Sequence, residues 1–371
     1  MAARSRARAL LRNILGSMAV FVLFLGALEL GLRVWDAAKG RGFDWDGRNR
    51  LANQRPLVPF RTFGFDPYAD TDAGRVISSR WQEHYPLEKA PGTFRVVAFG
   101  GSTTENRVGE MHYPLRLQEM LRERLGRDDI EVINVGNQAY ATPHALNLLL
   151  LHVVHWDPDL VILSQNVNDL TAAYFPEFRP DYSNKYSNDF FLPDHENRYT
   201  TPNVLFQNSQ LYWFLLGRLL KLETGMRPQV PIARETYGME PPEAARVVFE
   251  HNLRSFIRYA EAQGIAVVVG SQPFMADRAF FDIHWGFKPD SYKAAVRFPE
   301  HEEFVAHHAA YNRSLQRIAE ELDVVFVDND SALGGRAEYF TDSVHYTRAG
   351  IERLARSYAD ALIAAGIPPQ R

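Results

Sequence analysis

From Pro91 onward, short β-rich apolar runs alternate with longer stretches of helical spacing, and this alternation limits the fold more than any other feature of the chain. The apolar runs predict strands at Phe94–Phe99 (FRVVAF), Ile130–Val135, Leu160–Leu163, Ile265–Gly270 and Val324–Val327. Helical spacing predicts helices at Tyr113–Leu125, Pro143–Trp156, Glu243–Gln263, His301–Leu322 and Arg348–Ala365; in the first, Leu117, Leu121 and Leu125 share one face. Short, continuously apolar strands separated by helices are those of a parallel sheet covered on both faces. The fold class is therefore α/β, a three-layer α/β/α sandwich on five parallel strands.

Ahead of this region lies a different kind of sequence. Asn13 to Leu28 carries no charge, and apolar character continues to Trp35, with Glu29 and Arg33 four apart and able to pair on one helix face. Ile14–Trp35 as a helix at ~1.5 Å per residue matches a hydrocarbon core of roughly 30 Å. Arg4, Arg6, Arg8 and Arg12 precede it, which predicts a cytoplasmic N-terminus and an extracytoplasmic remainder. A cleaved signal peptide is the rival reading; the run is long for one, and Asp36-Ala37-Ala38 fits a small-x-small cleavage site poorly. The charge is +5 over residues 1–41 and −9 over the rest. The expected organisation is a basic tail (1–12), a signal anchor (13–35), a juxtamembrane stalk (36–90) and a catalytic domain (91–368).

Two stretches interrupt the alternation. Residues 171–242 follow the third strand and are dense in aromatics: Tyr174, Phe175, Phe178, Tyr182, Tyr186, Phe190, Phe191 and Tyr199. They also hold an apolar helix candidate, Leu211–Leu222. Residues 273–300 follow the fourth strand and contain Trp285 and Phe287. Both lie after strand C-termini, where open α/β sheets place their ligands. Packing is the favoured role of the aromatics over a sugar platform.

Composition removes several classes. A net charge of −4 gives nucleic acid no purchase, and the absence of cysteine excludes disulfides, thiolate metal sites and a cysteine nucleophile. Hydrophobic residues at 46% exclude a disordered chain.

Four short motifs remain to carry chemistry. FRVVAF runs into Gly100-Gly101-Ser102-Thr103-Thr104, and a serine on a tight strand-to-helix turn presents its hydroxyl at the sheet edge. Asp342-Ser343-Val344-His345 precedes the last helix; three residues apart on a turn, the carboxylate can hold the imidazole Nδ1–H and leave the other nitrogen for a serine. Asn168-Asp169 ends the third strand, where an amide N–H can donate to an oxyanion above Ser102. Asn134-Val135-Gly136-Asn137-Gln138-Ala139 closes the second strand and can offer a main-chain N–H. Singly, each reads as an ordinary turn or cap.

Their order, Ser, loop, Asn, Asp-x-x-His, resembles the SGNH (GDSL-type) hydrolase superfamily over residues 94 to 365. The resemblance implies a flavodoxin-like sandwich with a serine esterase or acyltransferase site. It assigns Ser102 as nucleophile, His345 as base and Asp342 as its orienter. It places Asn168 with the main-chain N–H groups of Ser102 and Ala139 in the oxyanion hole. Three positions depart from the family pattern: Gly101 stands for its aspartate, Ala139 for a loop glycine, and Asn166 for the glycine of Gly-x-Asn-Asp.

The expected reaction is hydrolysis of an O-acyl or O-acetyl ester outside the cytoplasm, without metal or organic cofactor. The implied partners are an ester substrate, such as an acylated surface glycan or lipid, and the membrane. Transfer of the acyl group to a glycan hydroxyl is the alternative. An inactive binding or scaffold protein is the third reading, opposed by the intact Ser, Asn, Asp and His. His152 and His155 are spaced for a metal pair but lack a carboxylate, and His307-His308 reads as solvated.

Overall fold

The computed structural model describes residues 2–38, 75–78, 83–186, 209, 211, 214, 215, 218, 243–286 and 299–369. The chain divides into two compact units, Met1–Arg55 with Pro193–Val230, and Pro56–Leu192 with Pro231–Arg371.

The first unit is built on α1 (Ala2–Ala38). Arg12–Trp35 within it is long and apolar enough to cross a membrane, by length and composition. The arginines of the basic tail are part of the same continuous helix. Arg33 Nε donates to Glu29 Oε1 at 3.0 Å, the i,i+4 pair expected from the spacing. The second Glu29 oxygen accepts from Ser209 Oγ (2.9 Å) and Leu211 N (2.5 Å). Of the Leu211–Leu222 candidate, Leu211, Phe214, Leu215 and Arg218 are described, all helical; the rest lies outside the described residues, as do Phe190, Phe191, Tyr199 and Phe287.

The second unit contains the sheet. Its strands are β3 (Phe94–Gly100), β4 (Ile130–Asn134), β5 (Leu160–Ser164), β6 (Ala266–Gly270) and β7 (Val325–Val327), after an antiparallel pair β1 (Arg75–Ser78) and β2 (Glu83–Pro86). All five are parallel, in the order β4-β3-β5-β6-β7. The helices are α2 (Ser102–Glu105), α3 (Tyr113–Leu125), α4 (Thr142–Leu151), α5 (Val167–Ala173), α6 (Ser183–Tyr186), α7 (Glu243–Ala262), α8 (Arg278–Gly286), α9 (His301–Glu321), α10 (Asn329–Leu333) and α11 (Arg348–Ala364).

Strand residues alternate between two cores, as a period of two requires. Val97, Phe99, Val161, Leu163 and Val269 face one way, onto Leu148 of α4, Leu253 and Phe256 of α7 and Leu315 of α9. Val96, Ala98, Ile162 and Val268 face the other, onto Leu117 and Leu121 of α3 and Leu354 and Tyr358 of α11. This is the three-layer sandwich expected from the sequence. Sequential strands grow outward in both directions from β3, so the chain reverses between β3 and β5, the position at which doubly wound sheets bind ligands.

Two local expectations change. The helix predicted over Pro143–Trp156 breaks at His152, whose φ of −132° is not helical, and Val153–Trp156 continues as a 3-10 turn. The β-branched pair Val153-Val154 favours such a break. Within the predicted stalk, β1 and β2 pair over four residues each, too short to leave a periodic signature. The segment after β2 is held at the N-terminal end of the sheet by the fully buried guanidinium of Arg95. It donates to the carbonyls of Pro86, Leu87 and Trp156 and to Glu131.

Candidate active site

Ser102 is the first residue of α2, immediately beyond β3. Gly101 leaves room for its neighbours: a Cβ there would lie 2.3 Å from Asn168 Nδ2 and 3.0 Å from the carbonyl of Tyr140. The missing side chain lets the residue before Ser102 pass directly against the Asn168 amide.

His345 lies in a tight turn closed by the isolated Phe340–Tyr346 bridge and by Thr341 N donating to His345 O at 2.8 Å. Asp342 is nearly buried and is saturated with donors. Its Oδ1 accepts from Val344 N (2.8 Å) and His345 N (2.9 Å), and its Oδ2 lies 2.7 Å from His345 Nδ1. That short contact with a carboxylate places the ring proton on Nδ1 and leaves the Nε2 lone pair facing outward. Nε2 is 2.9 Å from Ser102 Oγ. Residues 243 positions apart thus meet in one hydrogen-bonded chain, Asp342–His345–Ser102.

Two further side chains support this chain, and neither was singled out by sequence. Asn106, just past α2, donates to Tyr346 O (3.3 Å) and accepts from Tyr346 N (2.8 Å), clipping the turn that carries His345 to the helix that carries Ser102. His284, on α8 in the 273–300 insert, lies with Nδ1 3.6 Å from Asp342 Oδ1, its ring stacked 5.9 Å from that of His345. Burial pushes the Asp342 carboxyl up, but hydrogen bonding and charge from His284 and His345 outweigh it and hold the group well below the usual carboxylate range. No motif spacing marks His284 or Asn106.

The predicted donors come from the two strands flanking β3. Asn168 sits in the first turn of α5, after β5, and one of its amide hydrogens goes to Tyr140 O at 2.8 Å. The amide has a second N–H. Ala139, after β4, has φ of 62°. A non-glycine residue holds that left-handed conformation only where its surroundings impose it. Asp169, fully buried, accepts from Thr142 N (3.0 Å), Thr142 Oγ1 and Tyr182 Oη (3.0 Å), tying α4 and the aromatic insert to α5. Burial raises its pKa to about 6, against the lowering effect of those donors.

Behind the site runs a buried polar network. Gln272 Nε2 donates to Thr103 Oγ1 (3.1 Å), and its Oε1 accepts from Val167 N (2.8 Å), joining α2 to α5. Asn166 is fully buried and donates to His308 O (2.9 Å) and Asn312 Oδ1 (2.8 Å). His308, expected at the surface, is only 1% exposed; burial lowers its pKa to about 3 and keeps the ring neutral. Of the described aromatics of the insert, Tyr174, Phe175, Tyr182 and Tyr186 are buried and Phe178 is partly buried.

Among the described residues, one cluster could hold a metal ion: His284, Asp342 and His345, with ligand atoms within 4.8 Å of one another. Two of these three are already engaged in the chain to Ser102. His152 and His155 belong to no such cluster among the described residues. A cavity of about 220 Å³ opens beside Ser102, lined by Glu105, Asn106, Arg107 and Gly109.

A strand-edge serine in contact with an imidazole that a carboxylate orients defines the serine hydrolase class of site. The sequence profile of the GDSL-like lipase/acylhydrolase family matches residues 98–353, more than half of the chain, and the chain belongs to that family. It is a hydrolase acting on ester bonds. No curated protein matches the sequence. Solved structures similar in fold include the lipase/acylhydrolase from Enterococcus faecalis (15% identity over 75% of this chain and 100% of that chain, TM-score 0.41). A variant of an acetyl xylan esterase from Geobacillus stearothermophilus is similar at 15% identity over 74% and 97%, with TM-score 0.43. A GDSL-like lipase from Bacteroides thetaiotaomicron is similar at 16% identity over 73% and 88%, with TM-score 0.38.

Proposed function

We propose that this chain is a serine esterase that removes a short O-acyl group, acetyl foremost, through an acyl-Ser102 intermediate, and that α1 anchors it with its catalytic domain outside the cytoplasm. The observation that carries the reading is the continuous contact Asp342–His345–Ser102, at 2.7 and 2.9 Å.

His345 Nε2 takes the proton of Ser102 as Oγ attacks the ester carbonyl carbon, and the Asp342 carboxylate stabilises the imidazolium so formed. The tetrahedral oxyanion faces the free N–H of the Asn168 amide and the main-chain N–H groups of Ser102 and Ala139. On collapse the C–O bond to the alcohol breaks, and the leaving oxygen takes the proton from His345. Water then attacks acyl-Ser102, giving a proton to His345; the second collapse returns that proton to Ser102 Oγ and releases the acid. Each donor to the oxyanion is worth ~3–4 kcal/mol in such sites.

The cavity of about 220 Å³ beside Ser102, lined by Glu105, Asn106, Arg107 and Gly109, supports a small acyl group. The arginines of α1 ahead of Arg12–Trp35 support the orientation with the N-terminus inside. The corresponding organisation is a tail over 1–12, an anchor over 13–35, a stalk over 36–90 and a catalytic domain over 91–368 with inserts at 171–242 and 273–300.

The test is fluorophosphonate labelling of the full chain followed by peptide mapping, alongside p-nitrophenyl esters of increasing acyl length. Ser102 is expected to carry the label, and acetate to be the best substrate. Equal labelling of a Ser102→Ala chain sinks the assignment. Reporter fusions at residue 371 read the topology.

A further inference from the structure

The aromatic insert reaches back into the site through α6. Tyr186 Oη donates to the main-chain oxygen of Ala139 at 2.5 Å. Its neighbour Lys185 donates from Nζ to the main-chain oxygen of Asn168 at 2.9 Å and to Thr171 Oγ1 at 2.9 Å. One four-residue helix therefore ends on both residues proposed as oxyanion donors that lie outside α2. It touches their carbonyl oxygens, leaving the Ala139 N–H and the Asn168 amide clear.

Tyr186 acts where the backbone is left-handed. The peptide plane joining Ala139 to Tyr140 is gripped at both ends, its oxygen by Tyr186 and its N–H by the carbonyl of Asn137 at 3.1 Å. With that plane fixed, relaxation of Ala139 from φ 62° would have to swing the preceding peptide, whose N–H is the proposed donor. The Tyr186 ring is itself fixed, edge-on to His144 at 4.5 Å, and His144 stacks on Tyr140 at 5.0 Å. Lys185 is 1% exposed. A buried ammonium is costly without partners, and here it is spent on the turn that aims Asn168.

We infer that Lys185 and Tyr186 are positioning residues for the oxyanion hole. The insert sets the donor geometry, and the Tyr186 hydroxyl holds alanine 139 in a left-handed backbone. This rests on the proposed acyl-serine reading.

The experiment is steady-state hydrolysis of p-nitrophenyl acetate by the full chain in detergent. Tyr186→Phe keeps the ring contacts and removes only the hydroxyl. Its kcat and kcat/KM are expected to fall together by about tenfold with KM nearly unchanged, the pattern of a donor displaced by a fraction of an ångström. Glycine adopts positive φ without the alanine penalty, so Ala139→Gly should raise kcat several-fold more in the Tyr186→Phe background than in the Tyr186 background. Lys185→Gln, acting on the other donor, should lower kcat without that coupling to Ala139→Gly. Wild-type kcat in Tyr186→Phe, or an equal effect of Ala139→Gly in both backgrounds, overturns the inference. If Ser102→Ala stays active, the acyl-serine reading itself falls; if Ser102→Ala is dead and Tyr186→Phe is undiminished, only the role of the insert falls.

Discussion

On one side of Ser102, side chains that touch each other form one hydrogen-bonded chain; on the other, the proposed oxyanion donors are held in place from a distance. Asp342 binds the turn that carries His345 as well as the imidazole itself, so residues three apart build most of that half. The donor half has no such self-sufficiency. Ala139 follows β4 and Asn168 lies in the first turn of α5, and the contacts that hold them arrive from Tyr140, Lys185 and Tyr186. The difference teaches that a compact motif can carry its own geometry, whereas the proposed oxyanion hole, drawn from separate elements, borrows its geometry from whatever packs behind it.

That contrast can be broken at either side. The largest effect is expected from Ser102→Ala or His345→Ala, each lowering kcat by about 10⁶-fold, with Asp342→Ala costing about 10⁴-fold because it orients the base but takes no proton. Esterase assays with p-nitrophenyl acetate read this, and equal losses for all three would mean that the carboxylate does more than orient. Next comes Asn168→Ala, expected to lower kcat by about 10²–10³-fold with little change in KM. Gly101→Ala should act in the same direction, because its Cβ displaces the Asn168 amide; a Gly101→Ala enzyme with normal kcat would show that the amide is not a donor.

The smallest effect concerns stability. The folded-state pKa of Asp342 is depressed, so its ionised form stabilises the fold above the unfolded value of about 3.9, and that contribution is lost as pH falls below it. Urea unfolding should therefore find the gap between wild type and Asp342→Asn narrower at about pH 3 than at about pH 7. A gap that widens on acidification would contradict the depressed pKa.

The same division governs what could be read from the sequence. The sheet was legible because five apolar runs and their helices carry strong periodicity, and the Asp-x-x-His turn because its partners are close in sequence. Asn106 was not, since its partner Tyr346 is 240 residues away and no spacing encodes the meeting. His284 sits in an insert without a motif, and Lys185 and Tyr186 looked like one more part of an aromatic-rich stretch. His308 was misplaced at the surface because adjacent histidines on a helix look polar, whereas its ring stacks 4.5 Å from Phe274 in the interior. Asn312-Arg313-Ser314 and Asn329-Asp330-Ser331 fit the N-x-S glycosylation pattern, yet both asparagines are buried and hydrogen-bonded.

Gly101 and Asn168 share one small space, because a Cβ at 101 would lie 2.3 Å from the Asn168 amide nitrogen. Any side chain at 101 requires that amide to take up another position. Libraries that vary the two residues together therefore sample arrangements that varying 101 alone does not.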